Sequence, residues 1–218
     1  MKPYRYLNII TLSFLYLVLG YFIYLMILIT LQYIPIGFQA AFLAIKQEEI
    51  QLPYYQVAFF SHVYTSIFAL ILGAFQFSTW LRTKYCVFHK NLGKIYIGLI
   101  LIIASPSGFI MALHANGGTY SKFSFVLQAA LWFAFTYLAY KHIRNKNWSK
   151  HRHFMIRSFA LTLSAISLRL FKWIIVNTWE LPPMDTYKIV AWAGWTINLL
   201  IAEVYIYVTF RKNLNKAQ

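Results

Sequence analysis

Acidic residues are scarce in this 218-residue chain, which contains 5 Asp and Glu against 20 Lys and Arg. Charged residues of both signs make up only 11% of the sequence, whereas a soluble domain usually contains about 25%. The hydrophobic fraction is 60% and the mean hydropathy is +0.56. The composition therefore argues strongly against a water-soluble enzyme and indicates a membrane protein.

Cysteine is nearly absent as well, since Cys86 is the only one. No intramolecular disulfide can form, and no CxxC metal or redox pair exists. The sequence also lacks a Walker loop, a GxSxG elbow and an HExxH motif, and it has too few acids for a carboxylate-bound metal pair. No metal site is predicted, catalytic residues are unknown, and whether the protein is an enzyme is left open.

Six apolar runs are long enough to cross a hydrocarbon core about 30 Å thick, which requires about 20 helical residues. They lie at residues 6–34, 57–80, 94–113, 124–141, 154–176 and 186–210. The first run exceeds the hydrophobic region of a signal peptide, so a retained helix is predicted, with cleavage near residues 40–44 as the alternative. The predicted fold is all-α, a polytopic integral membrane protein with six transmembrane helices.

Basic residues are concentrated in alternate segments between the apolar runs. These segments contain Lys2, Arg5, Arg82, Lys84, Lys90, Lys94, Lys141, Arg144, Lys146, Lys150, Arg152, Arg211, Lys212 and Lys216. The positive-inside rule then predicts two cytoplasmic termini and a location in the cytoplasmic (inner) membrane. This topology accounts for most of the net charge of +15, so the lipid bilayer is a predicted partner and nucleic acid is not.

The loops are too short to contain a soluble domain. We therefore predict an N-terminal transmembrane helix with an outer loop at residues 1–56, a five-helix membrane domain at 57–210 and a cytoplasmic tail at 211–218. Within the outer loop, the apolar stretch 36–45 is a candidate interfacial helix.

Ionisable residues inside the apolar runs are candidates for a site, because a charge at the membrane centre costs at least about 2.5 to 3.5 kcal/mol. With a rise of about 1.5 Å per residue, His62 and Arg169 lie roughly 20 to 23 Å above the cytoplasmic boundary. Ser107 and Gln128 lie near that level, and no carboxylate does. We expect Arg169 to be a buried cation that faces His62 and meets an anionic ligand, a haem propionate or a quinone oxygen.

A second group of polar residues lies toward the cytoplasmic boundary. Arg157 and Glu203 are predicted to pair across the fifth and sixth runs, with Gln76 at the same level. Asn198 lies deeper in the sixth run, on a different helix face from Glu203. Anchoring at the interface is an alternative to a functional role for this inner cluster.

Small and polar residues follow one face of the second run, at His62, Ser66, Ala69, Gly73 and Gln76. Close helix packing is the preferred explanation for the serines, glycines and alanines of such faces. A bend is predicted in the third run, at residues 105–108, where Pro106 interrupts the helix.

Four sequence elements occur in a characteristic order. They are His62 with Gly73-Ala74-Phe75-Gln76-Phe77, then Phe88-His89-Lys90-Asn91-Leu92-Gly93-Lys94, then His151-Arg152-His153-Phe154-Met155-Ile156-Arg157-Ser158 with Leu168-Arg169, and finally residues 191–203. Together they resemble a prokaryotic membrane-protein family known only as domain of unknown function 2306, over about residues 59–203. The resemblance implies an architecture but no activity. It singles out His62, Gln76, His89, His151, Arg157, Arg169, Asn198 and Glu203.

The loop elements His89-Lys90 and His151-Arg152 resemble each other. This similarity predicts that the second and third spans, and the fourth and fifth, are parallel copies of one helix hairpin in a four-helix core. Such a core with histidines near each membrane face resembles cytochrome b561-like and ferric-reductase-like proteins at the level of fold.

The first functional hypothesis is therefore electron transfer, with haem b as the expected cofactor and a quinone or membrane redox protein as the partner. Axial ligation requires histidines at matching depth. The pairs would be His62 with His114 on the outer side, and His142 with His89, His151 or His153 on the inner side. One alternative is the binding or transport of a small anion, a proton or a lipid headgroup. The other is a non-catalytic accessory or assembly role in a membrane complex.

Overall fold

The computed structural model describes residues 3–214, and their side chains from residue 10 to residue 211. Lys2 and Lys216 of the predicted cytoplasmic ends lie outside these ranges, as do the side chains of Arg5 and Lys212. Most of the predicted tail at 211–218 is likewise outside the described side chains.

Within residues 3–214 the chain forms helices and no strands. The α-helices are α1 (Pro3–Leu31), α2 (Pro53–Gln76), α3 (Thr79–Lys84), α4 (Cys86–Gly98), α5 (Ser105–Leu113), α6 (Gly118–Arg144), α7 (Trp148–Thr162), α8 (Ser164–Trp179) and α9 (Pro183–Leu214). Two 3₁₀ helices lie at Ala41–Ile45 and Glu49–Gln51, and a π-helical segment at Leu99–Ala104 joins α4 to α5.

Six stretches of described residues are long and apolar enough to cross a membrane. They are Ile10–Leu31, Pro53–Gln76, Cys86–Leu113, Gly118–Arg144, Trp148–Trp179 and Pro183–Arg211. They follow the order of the predicted runs, and the all-α polytopic fold is confirmed. The second to sixth spans all begin earlier than predicted, because a hydropathy pattern detects only the apolar part of a helix that continues into the polar interface.

The residues form two compact units, Met1–Gln47 and Glu48–Gln218. The first unit contains α1 and the 3₁₀ helix Ala41–Ile45, which is all that forms of the interfacial helix predicted at 36–45. The division of the chain at residues 56 and 210 stays a prediction.

In the second unit, α2 packs on α4, the π-helical segment, α5 and α7, while α6 packs on α5 and α7. The core residues of this arrangement are Ala69, Tyr96, Ile100, Ala104, Trp132, Ala139, Met155, Leu161 and Trp195. They come from α2, the third span, α6, α7 and α9, so the core lies where the two predicted hairpins meet. Helix α9 covers α6, α7 and α8.

The third and fifth spans, each the second helix of its hairpin, are both irregular. In the third span, Pro106 has no N–H, so the carbonyl of Ile102 loses its helical partner next to the π-helical segment. In the fifth span, α7 ends at Thr162 and α8 begins at Ser164. The sequence predicted a bend at residues 105–108, and the irregular segment lies just before it, at Leu99–Ala104. The break in the fifth span was not predicted.

The break at Leu163 contains neither proline nor glycine. The carbonyl oxygen of Ala160 accepts a hydrogen bond from Asn198 Nδ2 at 3.1 Å, and that of Leu161 accepts one from Ser164 Oγ at 2.6 Å. Asn198 lies on α9, so a side chain of another helix supplies one of the hydrogen bonds that the carbonyl groups at the break lack. A pattern within the fifth run could not reveal it.

The two hairpins correspond in several details. His89 and His151 each lie in the first turn of their helix, and each helix becomes irregular further along. Tyr96 and Ser158 follow these histidines at the same spacing, and their hydroxyl oxygens are 3.0 Å apart. These correspondences support the predicted duplication of a helix hairpin.

Candidate functional site

His62 lies near the middle of α2, and its ring faces the π-helical part of the third span. Its Nδ1 is 2.8 Å from the carbonyl oxygen of Ala104. A carbonyl oxygen only accepts, so Nδ1–H must be the donor in this hydrogen bond. In the neutral ring the proton is therefore on Nδ1, and Nε2 carries the lone pair.

The His62 ring occupies the space that a side chain at position 108 would need. A Cβ at Gly108 would lie 2.9 Å from His62 Cε1 and 3.1 Å from Nδ1. Ser107 Oγ approaches Nδ1 at 3.5 Å but donates its shorter hydrogen bond, at 2.6 Å, to the carbonyl of Ile103. The ring of Trp132 on α6 lies edge-on at 6.5 Å. The orientation of the imidazole is thus set by both the third span and α6.

Arg169 differs from the prediction because its side chain is exposed in the structure rather than buried. The reason is that α8 packs mainly on α9, with a smaller contact to α7, rather than on α2. Its Nη1 donates to the carbonyl of Ala165 at 2.8 Å. The guanidinium is still close enough to His62 for an electrostatic interaction between the two side chains.

Gln128 belongs to the helix break rather than to the His62 ring. Its Nε2 donates to Ser164 Oγ at 2.5 Å, and Ser164 in turn caps the carbonyl of Leu161. Four residues were predicted at the level of His62. The structure brings together His62, Ser107 and Arg169, whereas Gln128 lies at the junction of α7 and α8.

His114 contacts the first turn of α2, which precedes His62 in the same helix. Its Nε2 is 3.1 Å from the hydroxyl of Tyr54, and its ring centre is 5.3 Å from that of Tyr55. Tyr54 lies eight residues before His62 on α2, which corresponds to about 12 Å along the helix axis. The outer pair of haem ligands, His62 with His114, stays a prediction, and the two rings contact different residues.

The inner histidines occupy different environments. The ring of His142 stacks on Phe154 at 5.4 Å, and His151 Nδ1 is 2.9 Å from the carbonyl oxygen of Ala139. His89 Nδ1 is buried and has no hydrogen-bond partner among the described residues. No group of three or more His, Cys, Asp or Glu within that part of the chain converges on a metal position.

The predicted contact between Arg157 and Glu203 is present. Nε of the arginine lies 2.5 Å from one carboxylate oxygen and Nη2 lies 2.8 Å from the other, so the ion pair is bidentate. Gln76 lies elsewhere, with Nε2 3.4 Å from the carbonyl of His89. Asn198 accepts a hydrogen bond from Ser167 and donates to Ala160. The inner cluster is thus three separate contacts rather than one site.

A buried network of hydroxyl groups lies in the core and was not predicted. Tyr96 is fully buried, and its hydroxyl is 3.0 Å from both Ser158 Oγ and Thr162 Oγ1. Thr162 also accepts from Trp132 Nε1 at 3.1 Å, while Ser158 contacts Thr136 Oγ1 at 2.7 Å. A tyrosine among 17 in an aromatic-rich chain has no distinguishing pattern, so only the structure reveals this network.

We expect Tyr96→Phe to lower the free energy of unfolding by about 1 to 2 kcal/mol, because two buried hydroxyl groups lose a partner. Thermal unfolding in mild detergent, followed by tryptophan fluorescence, measures the change. Tyr137→Phe on the exposed side of α6 is the matched control. Equal stability of the two variants would show that the network does not stabilise the fold.

Residues 59–206 match the family of predicted membrane proteins termed DUF2306. Comparisons with curated proteins and with solved structures find no match. The matched region covers more than half of the chain and includes His62, His89, His151, Arg157 and Glu203. The chain therefore belongs to the DUF2306 family of predicted membrane proteins.

Proposed function

We propose that this membrane protein binds a lipid-soluble quinol through His62. The observation that carries the proposal is the hydrogen bond from His62 Nδ1–H to the carbonyl oxygen of Ala104. It leaves Nε2 as an acceptor inside an apolar span. A phenolic hydroxyl of a quinol is a donor that fits this nitrogen, whereas an anion offers only acceptors.

The position of His62 along α2 also favours a ligand that enters from the bilayer. His62 lies about 13 to 14 Å from the start of α2 at Pro53, well inside the hydrocarbon region. The headgroup of a phospholipid stays at the interface, while a quinol ring partitions into the apolar core. Arg169 interacts electrostatically with His62, and its guanidinium carries donors of the kind that a second quinol oxygen accepts.

His62 Nε2 accepts the hydrogen bond of the quinol hydroxyl, while the carbonyl of Ala104 holds the ring in place through Nδ1–H. The proposal covers binding alone. The inner-membrane location and the cytoplasmic termini stay predictions from the distribution of charge.

A haem held at His62 by two histidines fits the structure poorly. His114 contacts Tyr54 and Tyr55 at the start of α2, and Gly108 packs closely against one side of the His62 ring. The haem hypothesis stays a prediction at this position.

The test measures binding of a short-chain quinol to the purified protein by tryptophan fluorescence. We expect His62→Leu to weaken binding about tenfold, because one hydrogen bond contributes about 1 to 1.5 kcal/mol. Gly108→Ala should also weaken binding, since the new methyl group displaces the ring without removing a polar group. His142→Gln is the matched control, because His142 stacks on Phe154 instead.

The ligand itself supplies a second control. The dimethyl ether of the same quinol keeps the ring but has no hydroxyl donor, so we expect it to bind at least tenfold more weakly than the quinol. Equal binding of the quinol and its ether, or of wild type and His62→Leu, would refute the proposal. A Soret band that is present in the wild type and lost in His62→Leu would show that His62 binds haem rather than a quinol.

A further inference from the structure

The second and third membrane spans are joined by a corner that exposes both cations and large apolar side chains. Ser78 Oγ accepts a hydrogen bond from Leu81 N–H at 3.2 Å and caps the first turn of α3. Leu81 is buried, and α3 packs on α2 and α4. Residues 82–88, which follow, are all exposed. We call residues 79–91 the α3–α4 corner, and most of its side chains face the surroundings of the protein rather than its core.

The cations of the α3–α4 corner have no carboxylate to neutralise them. No Asp or Glu occurs in the sequence between Glu49 and Glu180. Arg82, Lys84 and Lys90 are exposed, and no carboxylate within the described part of the chain forms an ion pair with them. The corner therefore carries an uncompensated positive charge, which is complementary to an anionic partner.

The ammonium group of Lys84 lies close to two aromatic rings. Its Nζ is 5.8 Å from the ring centre of Trp80 and 5.7 Å from that of Tyr85. The two rings meet edge-on, with their centres 5.0 Å apart. Cation–π attraction holds the long lysine side chain near the rings while its ammonium group stays exposed. The positive charge is thus presented at one place beside an aromatic surface.

Large apolar side chains border these cations. Trp80, Val87 and Phe88 are each more than half exposed. An open depression of about 580 Å³ lies beside them and is lined by Lys84, Tyr85, Cys86, Val87, Phe88 and Asn91. Water alone is a poor environment for such apolar side chains. The boundary between lipid headgroups and acyl chains suits both kinds of group, because anionic and apolar chemistry adjoin there.

The position of the corner along the membrane spans favours the same boundary. The third span, Cys86–Leu113, contains 28 residues, which corresponds to about 42 Å of helix. A hydrocarbon core is only about 30 Å thick, so the ends of this span reach into the headgroup regions. Helix α3 lies between the second and third spans and outside both. The corner therefore lies at the level of lipid phosphates.

We propose that the α3–α4 corner binds the headgroup of an anionic phospholipid of the surrounding bilayer. The lipid phosphate contacts Arg82 and Lys84, and the first part of the acyl chains lies against Val87 and Phe88. A zwitterionic phospholipid has no net negative charge, so it gains less from the same cations. The proposal does not depend on quinol binding at His62, which lies in the interior of the second span.

Native mass spectrometry of the full-length protein in mild detergent tests the proposal, because it counts the lipid molecules bound to each protein. The probes are dioleoyl phosphatidylglycerol and dioleoyl phosphatidylcholine at equal concentrations. We expect phosphatidylglycerol to bind at least about tenfold more tightly. Arg82→Gln and Lys84→Gln should each weaken that binding about fivefold, which is the usual contribution of one cation at an anionic lipid surface. Binding of phosphatidylcholine should not change.

Two further kinds of variant separate a lipid site from a general effect of charge. Lys146→Gln and Lys150→Gln are the matched controls, because these lysines are also exposed on the predicted cytoplasmic side. We expect them to change the affinity for phosphatidylglycerol less than about twofold. Phe88→Ser leaves every charge in place and should still weaken phosphatidylglycerol binding, since it removes an apolar contact of the acyl chains.

Three results would overturn the proposal. The first is equal affinity for the two lipids, or an equal loss in the corner variants and the lysine controls, because positive charge in general would then explain the binding. The second is complete displacement of phosphatidylglycerol by inorganic phosphate, since the corner would then bind a free anion. The third is a dimer peak that disappears in Arg82→Gln and Lys84→Gln, which would assign this surface to a second copy of the chain.

Discussion

Reversing the charge of Arg157 is expected to destabilise the membrane domain by about 3 kcal/mol. The estimate lies near the lower end of the 3 to 5 kcal/mol lost when a buried pair is broken, well above the roughly 0.2 to 1 kcal/mol of exposed pairs. The side chains of Arg157 and Glu203 are 20% and 46% exposed, so the pair is only partly screened. In Arg157→Glu, the bidentate contact is replaced by repulsion between two carboxylates.

The stabilisation of this pair is measured by thermal unfolding in mild detergent. The double variant Arg157→Glu with Glu203→Arg should recover more than half of the loss, because the opposite charges are restored across α7 and α9. Lys188→Glu provides a surface comparison. Lys188 pairs with Asp185 at 3.1 Å, and both side chains are well exposed. We expect Lys188→Glu to change the free energy of unfolding by less than about 0.5 kcal/mol. An equal loss in Arg157→Glu and Lys188→Glu would show that the Arg157–Glu203 pair stabilises the fold no more than a surface pair does.

Gly73→Ala is expected to lower the free energy of unfolding by about 2 kcal/mol. A Cβ at this position would lie 2.5 Å from Phe159 Cδ2 and 2.9 Å from Tyr96 Cε2. Tyr96 cannot yield easily, because its hydroxyl is tied to Ser158 and Thr162. The cost of overpacking, about 1 to 3 kcal/mol, exceeds the gain of up to about 1 kcal/mol that alanine brings to a helix.

Gly98→Ala is the matched control for this substitution. It also lies in a membrane-spanning helix, but a Cβ there would meet no atom within 4 Å. We expect this variant to be as stable as the wild type or up to about 1 kcal/mol more stable, through helix propensity alone. Fluorescence-detected unfolding of both variants checks the difference. If Gly73→Ala is no less stable than Gly98→Ala, the close approach of α2 to α4 and α7 is not required.

Estimating how deep each residue lies in the membrane was enough to predict a contact between two residues of opposite charge at the same depth. Arg157 and Glu203 are such a pair, and the long side chain of arginine tolerates some error in the rotation of each helix. The prediction for Arg169 was wrong because burial depends on which helix covers a residue, and α8 packs on α9 rather than on α2. Similarly, His62 and His114 lie on neighbouring spans but contact different turns of the bundle.

The amino-acid sequence alone determined that the protein is all-α and that six apolar stretches can cross a membrane. These features follow from hydrophobicity and charge, which are properties of individual residues and short segments. The tertiary structure decided which nitrogen of His62 accepts, why α7 ends at Thr162, and that Tyr96 lies in a hydroxyl network. Helices that are apolar on nearly every side leave their rotation undetermined. Contacts between them therefore depend on packing that no single segment encodes.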